Sequence, residues 1–89
     1  MKAAGPAFSE SLRFCSDLKA EYDAATAKYG YFASAHEGWA VLYEEVDELW
    51  DEVRKKRSKR DPEAMYRECV QIAAMALKFA VFVLKGDRK

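Results

Sequence analysis

The chain has 89 residues and a mass of 10.2 kDa, 51% of it hydrophobic and 34% charged. That is one domain, and it excludes a disordered tail and a membrane-embedded chain. Fifteen basic residues balance fifteen acidic ones, so whole-chain attraction to nucleic acid or anionic lipid is not expected. Two Pro and four Gly leave long stretches without breakers, and the fold class read from them is all-α, three long helices in a bundle.

No apolar stretch follows Lys2, so a secretory signal is not expected. The first helix is predicted over residues 7–29. Phe8, Leu12, Cys15, Leu18, Tyr22, Ala25 and Tyr29 recur at steps of three and four along it, which describes one apolar face. Gly30 is placed to end it. Cys15 and Cys69 lie far apart and outside any CxxC pattern. Both stand where an apolar residue would serve, so free buried thiols in a reducing, cytoplasmic setting are expected.

The second helix is predicted over residues 34–57, with Ser34 as N-cap and Glu37 completing a capping box. Its apolar stripe reads Trp39, Leu42, Val46, Leu49 and Val53. Arg54, Lys55, Lys56 and Arg57 close it, suiting the negative end of the helix dipole. The basic run continues to Arg60. It reads as a helix end and solvated loop, with no aromatic platform to make it a nucleic-acid surface.

Asp61 and Pro62 open a third helix, predicted over residues 61–85 with Gly86 as its stop. Between Cys69 and Leu84 only Gln71 and Lys78 are polar. A helix apolar almost all round needs cover on most sides, and two further helices of so short a chain supply it poorly. A second copy is expected to complete the bundle, as a dimer or a tetramer.

Helix two carries seven acids from Glu37 to Glu52 and no base among them. Glu37 belongs to the cap, and Asp51 and Glu52 have Lys55 and Lys56 four residues on. Glu44, Glu45, Asp47 and Glu48 have no Lys or Arg three or four residues away, and Glu44 and Glu45 repel Glu48. Such clustering is easier to explain if a cation neutralises it. Glu45 and Glu48 form an i, i+3 pair at the rim of the apolar stripe. Glu68 and Gln71 form a second such pair on helix three, on the side of Met75, Phe79 and Phe82. Oxygen ligands facing each other across two helices suit a hard divalent ion, Mg²⁺ or Mn²⁺.

At these residues the sequence resembles a known family. Glu44-Glu45-Val46-Asp47-Glu48 follows EExxE, and Glu68-Cys69-Val70-Gln71 follows ExxD with Gln71 in place of the Asp. Paired across two antiparallel helices, these motifs are the signature of the MazG-like all-α nucleoside-triphosphate pyrophosphohydrolases. The resemblance spans Ser34 to Val83. It implies Mg²⁺ at Glu45, Glu48 and Glu68, with Glu44 close by to orient water, and hydrolysis of a nucleoside triphosphate to a monophosphate and pyrophosphate. Within it, Gln71 would serve as an uncharged ligand, Lys78 would reach a phosphate, and Trp39 and His36 would frame a base. Trp39 also fits a core position, His36 a surface residue beside the cap, and Lys78 a snorkelling lysine. Gln71 brings no charge and no base, and the family's fourth helix is missing, so either a partner subunit supplies it or the chain is a pared-down relative that no longer catalyses. The competing expectation is a helical interaction module that keeps the fold without the chemistry.

Overall fold

Pro6 takes the first position of α1 (Pro6–Tyr29), where its missing N–H costs nothing. The structure is a computed structural model that describes residues 6–86; the stretch after Lys2 lies outside it. Gly30 ends α1 at φ 72°, its N–H donating to the Thr26 carbonyl, a conformation open to glycine without strain. Ser34 then caps α2 (Ala35–Val53), its hydroxyl accepting from the Glu37 N–H. The Glu37 carboxylate reaches back to accept from the Ala33 N–H at 2.6 Å, so the capping box forms one residue wider than its usual geometry.

Helix α2 stops at Val53, four residues short of the predicted end at Arg57. The physical reason lies beyond the helix. Arg60 donates its Nε–H to the Val53 carbonyl at 2.8 Å, the acceptor that the Arg57 N–H would need to continue the helix. Lys56 turns extended, and Arg57–Lys59 form a single 3₁₀ turn. Asp61 caps α3 (Pro62–Leu84) by accepting from the N–H groups of Glu63 and Ala64. Gly86 lies past its end at φ 94°. Three helices therefore occur in the predicted order, with α2 short at its C-terminal end, and no strand occurs among the described residues.

Helix α3 is the middle of the molecule. It packs against α1 on one flank and α2 on the other, and no Cα pair joins α1 to α2 within 8 Å. The result is a slab of 43 × 40 × 21 Å. Phe32, from the loop between α1 and α2, plugs one end of it with Ala74 and Met75. Its ring meets those of Phe79 and Phe82 at 6.1 and 6.3 Å.

Two predicted stripes are rotated. On α1 the docking face runs through Phe14, Leu18, Tyr22 and Ala25, while Phe8, Leu12, Cys15 and Tyr29 stay exposed. Tyr66 sets this angle: its ring meets Phe14 edge-on at 5.8 Å, and its hydroxyl donates to Asp17 at 2.6 Å. Cys15 is thus a free exposed thiol rather than a buried one, while Cys69 is free and half-buried.

On α2 the cause is Gly38. It is buried, and a methyl group there would stand 2.7 Å from the Phe79 ring and 2.9 Å from that of Phe32. The missing side chain lets α2 approach α3 along Gly38, Leu42 and Leu49, which turns Trp39 and Val46 outward.

Candidate metal centre

The antiparallel packing of α2 on α3 sets Glu45 and Glu48, one turn apart, against Glu68. One carboxylate oxygen of each lies within 4.8 Å of the other two. Glu45 and Glu68 are half-buried and Glu48 is exposed. No Lys or Arg nitrogen comes within 4 Å of the three among the described residues.

The electrostatics follow from that crowding. Burial, then a hydrogen bond with Glu48, then the charges of Glu48, Glu68 and Glu44 push the Glu45 carboxyl up to about 7. Glu68 is raised as well, by burial first and then by the Glu48 charge. Its Oε1 is buried and has no hydrogen-bond partner. A buried acceptor without a donor is costly, and it belongs to a carboxylate that already shares its surroundings with two other acids. Three carboxylates, one of them with an orphaned oxygen, are a donor set that a hard divalent cation fits.

A groove of about 480 Å³ runs beside the cluster, over α3 and between α1 and α2. Glu44, Glu45, Gln71 and Lys78 all border it. Lys78 is 5% exposed, has no carboxylate within 4 Å among the described residues, and lays its ammonium 4.6 Å from the centre of the Phe32 ring. It is a cation held by an aromatic face at the wall of a groove whose other charged lining residues, Glu21, Glu37, Glu44 and Glu45, are all acids.

Of the eight residues singled out from the sequence, Glu45, Glu48 and Glu68 come together, and Glu44, Gln71 and Lys78 border the adjoining groove. Trp39 and His36 do not join them. They line a shallow hollow with Ala35 and Phe79 elsewhere on the surface, with Trp39 60% exposed. The sequence reading also misses Glu21, Tyr31 and Phe32 as groove residues. Glu21 was findable, since it shares its helical face with Phe14, Leu18 and Ala25. Tyr31 and Phe32 belong to a loop whose path is fixed by tertiary contacts, among them the hydroxyl pair of Tyr22 and Tyr31.

Comparison of the chain with protein-family models, with curated proteins and with solved structures finds no match in any of the three.

Proposed function

We propose that the chain is a Mg²⁺- or Mn²⁺-dependent nucleoside-triphosphate pyrophosphohydrolase, a MazG-like enzyme that acts as a homo-oligomer. The observation that carries this reading is the convergence of the Glu45, Glu48 and Glu68 carboxylates, one of which, Glu68, also has a buried oxygen without a hydrogen-bond partner. Those three carboxylates would hold the cation, with the Gln71 amide oxygen as a neutral addition. When bound, such an ion neutralises charge on phosphate oxygens and acidifies water. Glu44, exposed at the groove wall next to Glu45, would accept the proton that water loses on attacking a phosphorus of the α–β anhydride, whose bond to the bridging oxygen breaks to give the monophosphate and pyrophosphate. Lys78 offers the groove a fixed positive charge for a phosphate oxygen. Because Lys78 is already desolvated and held against Phe32, its attraction to an anion is screened less than that of a surface lysine.

The test is release of pyrophosphate from ribo- and deoxyribonucleoside triphosphates with Mg²⁺ or Mn²⁺. Activity that disappears in Glu48→Gln supports the reading; silence across the panel from a folded protein overturns it. One feature favours the second reading, a helical interaction module without catalysis. Gln71 stands where a fourth carboxylate would strengthen the site.

A further inference from the structure

Both broad sides of the slab are uncovered, and they differ in chemistry. At about 100° per residue, Val41 and Glu44 lie roughly 60–120° round α2 from Gly38 on the groove side, and Trp39, Tyr43, Val46 and Trp50 lie roughly 80–140° round it the other way. Those four are 60%, 56%, 45% and 55% exposed. On α3, Ala76, Ala80 and Val83 point to that same back side, opposite Gln71 and Lys78, and they too are exposed. No charged residue falls in this sector of either helix between Trp39 and Trp50 or between Cys69 and Val83. An apolar surface of this continuity marks an interface.

We infer that the back side of the slab is the surface on which a second copy of this chain packs, face to face about a two-fold axis, leaving both acidic grooves outward. This gives the proposed oligomer its face, and it does not depend on the hydrolase activity. Three observations favour a second copy as the occupant. The first is area. The chain exposes 6691 Å², against about 5,300 Å² for a self-sufficient monomer of its mass. The excess of roughly 1,400 Å² exceeds the ~800 Å² that each partner contributes to a standard interface. Its radius of gyration of 15.3 Å likewise exceeds the ~12 Å of a compact domain of this length.

The second is symmetry. The stripe has a 4-3-4 spacing with Trp at both ends. Turned end for end, it therefore matches itself, with Trp39 opposite the partner's Trp50 and Tyr43 opposite the partner's Val46, as an isologous contact requires. Ala76 and Ala80 add no bulk to hold the copies apart. The third is charge. With a net charge of zero, two copies meet without overall repulsion.

Trp39 and Trp50 are the two tryptophans of the chain, so intrinsic fluorescence reads this face directly. The experiment combines light scattering after size exclusion with tryptophan emission and acrylamide quenching over a dilution series. The expected result is twice the monomer mass, with emission that shifts to the red and quenches more readily on dilution. A V46K/W50K variant should elute as the monomer or lose helicity, as an obligate dimer does. Wild-type protein that is monomeric, with freely quenched tryptophans at every concentration, would mean that a different partner or none covers the face, and would overturn the inference. An oligomer whose mass survives V46K/W50K would place the interface elsewhere and overturn it too.

Discussion

Glu68 keeps a carboxylate oxygen buried without a donor while facing two other acids, and nothing in the packing of α2 on α3 compensates for that. Residues that cost stability in this way commonly serve a site. The consequence is measurable without any substrate. Glu68→Gln should raise the melting temperature in metal-free buffer, by relieving repulsion, and should also abolish the stabilisation by millimolar MgCl₂ expected of the wild type. That stabilisation amounts to about 2.7 kcal/mol when the ion stands at 100 times its dissociation constant. Thermal unfolding of both proteins with and without Mg²⁺ checks both signs. A proton would compete with the proposed cation for the same oxygens. Glu45 has its folded-state value raised to about 7 from an ordinary 4.5, so between those values the folded chain holds more protons than the unfolded one. Stability must then fall as pH rises from about 4.5 through 7. Melting curves from pH 5 to pH 8 without metal should show that fall, and Glu45→Gln or added Mg²⁺ should flatten it.

At the scale of the helices, the close approach of α2 to α3 depends on Gly38. Replacing it with alanine gains up to ~1 kcal/mol of helix propensity. It also forces a methyl group against the Phe79 ring at 2.7 Å, where overpacking costs about 1–3 kcal/mol. That ring is itself held by Phe32 and Phe82, so the second effect wins. Gly38→Ala should lower the denaturation midpoint, as chemical unfolding would measure. On the other flank, Tyr66→Phe removes the hydrogen bond to Asp17 and should cost about 1 kcal/mol while leaving Mg²⁺ binding intact. These contacts also explain what was legible in the sequence. Helix positions were, because Ser34, Asp61, Pro62, Gly30 and Gly86 punctuate the chain locally. The carboxylate trio was as well, since Glu45 and Glu48 lie at the rim of the apolar stripe on α2 and Glu68 beside the apolar side of α3, on helices joined by a short loop. The rotation of α2 was not. Leu42 and Leu49 compete with Trp39, Tyr43, Val46 and Trp50 for the core side, and periodicity alone cannot rank two apolar stripes. Only the fit of Gly38 to Phe79 decides between them. The early stop of α2 was equally hidden, because it rests on Arg60 folding back to Val53, and the exposed Cys15 follows from the angle that Tyr66 imposes on α1.

For the whole molecule, the slab places the two chemistries of the chain on opposite sides: acids with a buried lysine on one, aromatic and small apolar side chains on the other. Neither α1 nor α2 covers the back of α3, where Ala76, Ala80 and Val83 are exposed. None of the described helices is long and apolar enough to cross a membrane. The central claim is that Glu45, Glu48 and Glu68 form one cation site, and calorimetric titration of metal-free protein with Mn²⁺ tests it most directly. The account predicts saturable binding that depends on all three carboxylates, weakened at least tenfold in Glu48→Gln and absent in a Glu45→Gln/Glu68→Gln double variant. Mn²⁺ affinity equal in wild type and double variant, or no binding to the folded wild type, would contradict it.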